Sequence, residues 1–215
     1  MSKTKKLLIA AVCLVAILTS AVVGTIAWLT DKTATVTNTF SPSTVGLTLT
    51  ETKGVGSSQT AKDFKMVPGT TIDKDPVVTV KANSEACWLF VKIEKTNGFD
   101  NFMAYAIASG WSEMTTVEGV TGVYYRQVAA SAADQPFDIL GAGAWTVNNS
   151  YTWAANQVLV RPNVTKEMMK AMYNDDGTVK TSAVPTMSFT AYAIQQEGFT
   201  DVAAAWAAAS ALANP

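Results

Sequence analysis

Cys87-Trp88-Leu89-Phe90-Val91-Lys92-Ile93-Glu94 is the stretch that decides the fold class. Side chains alternate across a strand with a period of two, so Cys87, Leu89, Val91 and Ile93 share one face. Trp88 and Phe90 lie on the other face and are too apolar for open solvent. The run therefore predicts a strand partly covered on both sides.

Outward from this stretch the period-two pattern recurs. Val45-Gly46-Leu47-Thr48-Leu49-Thr50-Glu51 alternates with Val45, Leu47 and Leu49 on one face. Gly54-Val55-Gly56-Ser57-Ser58-Gln59 reads as a loop, and Pro68-Gly69-Thr70 as a tight turn. A strand is expected over residues 76–82, followed by a second turn at Ala82-Asn83-Ser84-Glu85. Downstream, residues 122–128, 157–160 and 186–194 read as further strands, the last opened by Pro185. Residues 99–110 fit either a helix or a loop over the sheet edge, and Gly141-Ala142-Gly143-Ala144 interrupts any regular pattern.

Two short helices complete the reading. One covers residues 165–173, with Thr165 as N-cap, and closes at Asn174-Asp175-Asp176-Gly177. The other begins near Thr200 in an alanine-rich tail whose thin apolar stripe is Phe199, Val202 and Trp206. Several short strands separated by turns, with brief helices in the connections, predict a mainly β chain built as an antiparallel β-sandwich. Pattern alone leaves immunoglobulin-like and jelly-roll topologies open.

The N-terminus speaks to location. Lys3, Lys5 and Lys6 precede a nearly uncharged apolar run over residues 7–29, the order of an export signal. Cleavage fits after Ala21, with Thr19 three positions back, or after Ala27, with Thr25 there. An uncleaved membrane anchor is the competing reading, because a span needs about 20 apolar residues. The expected plan is a signal segment at 1–27, an extended segment at 28–40, a sandwich domain at 41–198 and a helical tail at 199–215. The product is expected outside the cell, touching the membrane only through the signal before cleavage.

Composition excludes several functions. Loss of residues 1–27 removes three lysines and no acid, taking the formal charge from −1 to −4. No basic patch points to nucleic acid. The chain has no histidine, which rules out a zincin motif, a Ser-His-Asp triad and a Cys-His pair. Cys87 would be the only cysteine of the exported part, so it forms no internal disulfide and is expected as a buried thiol. Asp73, Asp75 and the 174–177 turn offer oxygen ligands for calcium, but Asn, Asp and Gly are also what turns use. No enzyme activity, cofactor or metal is expected.

Gly24-Thr25-Ile26-Ala27-Trp28-Leu29-Thr30-Asp31, followed by Thr37-Asn38-Thr39-Phe40, resembles the signal-exit segment of the TasA/camelysin family of Gram-positive exported proteins. The stretch Pro68-Gly69-Thr70-Thr71-Ile72-Asp73-Lys74-Asp75-Pro76-Val77-Val78 is similar to that family's turn into its next strand. Phe189-Thr190-Ala191-Tyr192-Ala193-Ile194-Gln195-Gln196-Glu197-Gly198-Phe199 resembles its C-terminal strand. The resemblance implies SipW-dependent processing: a SipW-type signal peptidase would cut after Ala27, with Thr25, Ala27 and Trp28 at the site. It also implies a jelly-roll sandwich and a role in extracellular biofilm matrix fibres.

Strand addition gives that role a mechanism. Residues 28–40, with Trp28, Leu29, Val36, Asn38 and Phe40, are β-prone and carry charge only at Asp31 and Lys32. Such a segment can add to the sheet edge of the next copy, and head-to-tail contacts of this kind make filaments. The same residues could instead form the first strand of their own domain. The rival function is a non-polymeric, adhesin-like surface binding module, using Trp111, Tyr124, Tyr125, Trp145, Tyr151 and Trp153.

Overall fold

The computed structural model describes residues 4–5, 44–53, 64–96, 98–146 and 150–212. The chain divides into two compact units, Met1–Ser41 and Pro42–Pro215, and the architecture below is that of the second. The segments at 7–29 and 28–40 lie outside the described residues. Among the described residues no helix is long and apolar enough to cross a membrane.

The chain is mainly β, with antiparallel sheets. Its longest strands are β4 (Cys87–Thr96) and β14 (Thr186–Gln195), paired over all ten residues from Cys87↔Gln195 to Thr186↔Thr96. β8 (Val123–Val128) flanks β4 on its other side, and β7 (Ser112–Glu113) follows, giving the order β14-β4-β8-β7.

Two three-stranded sheets accompany it. One runs β1 (Leu47–Thr50), β3 (Val77–Val80), β9 (Gln135–Asp138). The other runs β2 (Thr71–Asp73), β13 (Gln157–Val160), β5 (Met103–Ala104). Two small pairs remain: β6 (Ala106–Ile107) with β10 (Leu140–Gly141), and β11 (Gly143–Trp145) with β12 (Tyr151–Trp153).

The alternation in β4 divides the core as the sequence predicts. Cys87, Leu89, Val91 and Ile93 pack with Val78 and Val80 of β3, Val158 and Val160 of β13, and Ile139 and Leu140. Phe90 belongs to a second cluster on the opposite face, with Val123, Met114, Ala205, Trp206 and Ala209. The cover on that face is helical. Besides the single turn α1 (Phe99–Phe102) and the short α2 (Lys166–Lys170), α3 (Val202–Leu212) lies against the sheet through Trp206. Asp201 starts α3 by accepting the Ala204 amide at 2.8 Å. Thr165 caps α2 in the same way, accepting the Met168 amide at 3.2 Å.

Two stretches differ from simple expectation. Residues 99–110 are neither one helix nor one loop, but α1 followed by β5 and β6. The stretch that interrupts the pattern, 141–144, holds the end of β10 and most of β11. Its glycines allow close approach: a Cβ on Gly141 would stand 2.6 Å from the Ile107 carbonyl oxygen, and one on Gly143 would stand 2.2 Å from the Trp153 ring.

Candidate functional site

The residues expected at signal cleavage (Thr25, Ala27, Trp28) and in the polymerisation strand (Trp28, Leu29, Val36, Asn38, Phe40) lie outside the described residues. Strand addition would need an acceptor in the described fold. Such an acceptor must be a strand with one side of its main chain unpaired, and β14 has this property.

The direction of its hydrogen bonds follows from its neighbour. Ile93 of β4 donates to the Gly122 carbonyl on the β8 side at 2.7 Å, while Gln196 donates to Ala86 at 2.8 Å. Antiparallel alternation then turns the amides and carbonyls of Met187, Phe189, Ala191, Ala193 and Gln195 away from β4. Among the described residues no strand pairs with that side.

Proteins usually protect such an edge with charge, proline or shortness. The other edges here follow that habit. β9 carries Pro136 and Asp138, β7 has two residues, and β1 has four and runs into Glu51. β14 is ten residues long and contains no charged residue and no proline. Its side chains Met187, Phe189, Ala191 and Ala193 pack against the first core cluster, so a strand laid beside it would meet the margin of that core.

At the Thr186 end of β14 lies a cavity of about 210 Å³. Phe64, Met66, Ile72, Met103 and Met187 contribute apolar walls, and Lys74 lines it as well. Lys74 is 8% exposed. Its ammonium donates to both Glu51 carboxylate oxygens, at 3.0 and 3.1 Å. It also stands 4.9 Å from the centre of the Phe64 ring and 5.3 Å from that of Phe189. Salt bridge and ring contacts together compensate a cation that would otherwise be expensive to bury.

The aromatic residues of the binding-module reading are placed by packing. Trp153 is buried with Leu159 and Ala104, and Trp145 and Tyr151 pack on that cluster. The Trp111 indole donates to the Asp138 carbonyl at 2.8 Å, and the Arg126 guanidinium lies 4.0 Å from the Phe137 ring centre and 5.4 Å from that of Trp111. Tyr124 and Tyr125 of β8 turn toward opposite clusters. Of these rings Trp153 is buried and the other five are half-buried.

The oxygen ligands considered for calcium serve turns and strand contacts. Asp75 accepts the amides of Thr52 and Lys53 at 3.0 and 2.7 Å. Asp73 accepts from the Gln157 side chain at 2.8 Å, and Asp176 accepts the Thr178 amide at 2.9 Å. Among the described residues no three metal-ligating side chains of the His, Cys, Asp and Glu types come together. Cys87 is fully buried, and burial pushes its thiol up to about 11. No protein-family model, curated protein or solved structure matches the chain.

Proposed function

We propose that this chain is an exported structural subunit of an extracellular matrix fibre, with a jelly-roll-like β-sandwich as its body. Processing by a SipW-type signal peptidase after Ala27 would free residues 28–40, which then add as a strand to a second copy. The observation that carries the reading is β14: a ten-residue, uncharged strand with one side of its main chain unpaired among the described residues. An edge of that kind is a template for another strand. The export-type N-terminus and the TasA/camelysin resemblance support the same conclusion.

The test is negative-stain electron microscopy of residues 28–215 after concentration and a pH step. Filaments are expected. Ala191→Pro removes an amide on the side of β14 that no described strand pairs with, while leaving the β4 ladder intact, so it should yield folded monomers. Persistent monomers of the unaltered protein would favour the non-polymeric surface module instead.

A further inference from the structure

We infer that the cavity at the Thr186 end of β14 is a receptor for one aromatic ring, and that its occupant is the Phe40 side chain of a second copy. The inference rests on the fibre reading and adds to it an anchor point and a chemical selectivity.

Size sets the kind of guest. An apolar cavity of about 150 Å³ holds one benzene-sized ring, whereas sites for drug-sized ligands run to about 300–1,000 Å³. At about 210 Å³ this cavity suits a single side chain. Chemistry then separates aromatic from aliphatic guests. The Lys74 ammonium has three N–H donors, and its partners are the two Glu51 oxygens and the faces of Phe64 and Phe189. A third ring extends this arrangement, because a desolvated cation is attracted to an aromatic face. A leucine fills space but offers no such face.

Position selects the route of entry. Met187 both lines the cavity and starts the row of outward-facing main-chain groups on β14. A strand pairing there places one of its inward side chains beside Met187. Every strand pair among the described residues is antiparallel. A donor following the same rule runs against β14 and brings its C-terminal end to Thr186. The aromatic residue at the C-terminal end of residues 28–40 is Phe40. In an extended donor, Trp28 and Val36 would have the same parity as Phe40.

The experiment uses residues 28–215 in two forms. Phe40→Ala lacks the ring but keeps the cavity, and Met187→Trp fills the cavity but keeps the ring. Met66→Trp replaces the second form if Met187→Trp does not fold. Alone, each should need at least tenfold more protein to assemble. Mixed in equal amounts, they should form a capped pair of twice the monomer mass, read by light scattering after gel filtration. Phe40→Tyr should restore filaments and Phe40→Leu should not. A mixture that stays monomeric, or a Phe40→Leu protein that assembles like the parent, overturns the ring receptor. If Phe40→Ala makes filaments at the parent's concentration, only this inference falls. If the parent never assembles, the fibre reading falls and takes the inference with it.

Discussion

Replacing Trp206 by alanine measures how firmly α3 belongs to the fold. Trp206 is 8% exposed, with its ring centre 5.3 Å from that of Phe90 and 5.2 Å from that of Tyr192, the second contact edge-on at 83°. Truncating a buried tryptophan costs about 3–5 kcal/mol. Ring pairs of this geometry contribute about 0.5–1.5 kcal/mol beyond burial, which places the expected loss near the upper end, about 4–5 kcal/mol. Domains of this size have about 5–15 kcal/mol in all, so the variant should lie close to its unfolding threshold. Urea unfolding followed by far-ultraviolet circular dichroism gives the number, and Trp206→Phe should recover more than half of it. A loss below about 1 kcal/mol would refute the reasoning. It would mean that α3 rests on the sheet without holding it, and that the second cluster does not depend on the helix.

Three further outcomes are expected. Glu51→Ala leaves the Lys74 ammonium buried without its carboxylate and should cost about 3–5 kcal/mol in urea unfolding, most of which Glu51→Gln combined with Lys74→Met should return. Iodoacetamide at about pH 8 should leave Cys87 unmodified in the folded protein and alkylate it on unfolding, because burial both hides the thiol and raises it to about 11. For Asp75, burial acts upward, but the hydrogen bonds from the Thr52 hydroxyl and the Lys53 and Thr52 amides outweigh it and hold the carboxyl below its ordinary 3.8. A depressed carboxylate stabilises the fold above its unfolded value and loses that contribution as pH falls through the folded one. From about pH 5 to about pH 2 the protein should therefore lose more stability than Asp75→Asn does.

Period-two alternation and turn chemistry are local, and they survived contact with the fold. Cys87, Leu89, Val91 and Ile93 are legible as one buried face because each is fixed by its neighbours two positions away. Gly69 reads as a turn residue because a positive φ, here 80°, suits glycine, and Thr165 reads as a cap because its oxygen reaches an amide three residues on. The two-residue strands β5, β6, β7 and β10 were not legible, since two residues cannot display a period.

The amino-acid sequence by itself determined the β class, the two-sided cover of β4 and the absence of any histidine chemistry. Tertiary structure alone decided that β14 is an edge among the described strands, because an edge is defined by which strands pair with it, and no residue within 186–195 encodes its neighbours. It alone brought Lys74 to Glu51 across 23 positions and set both beside Phe64 and Phe189. A buried cation is tolerated only where distant groups converge on it, and that convergence is a property of the folded chain.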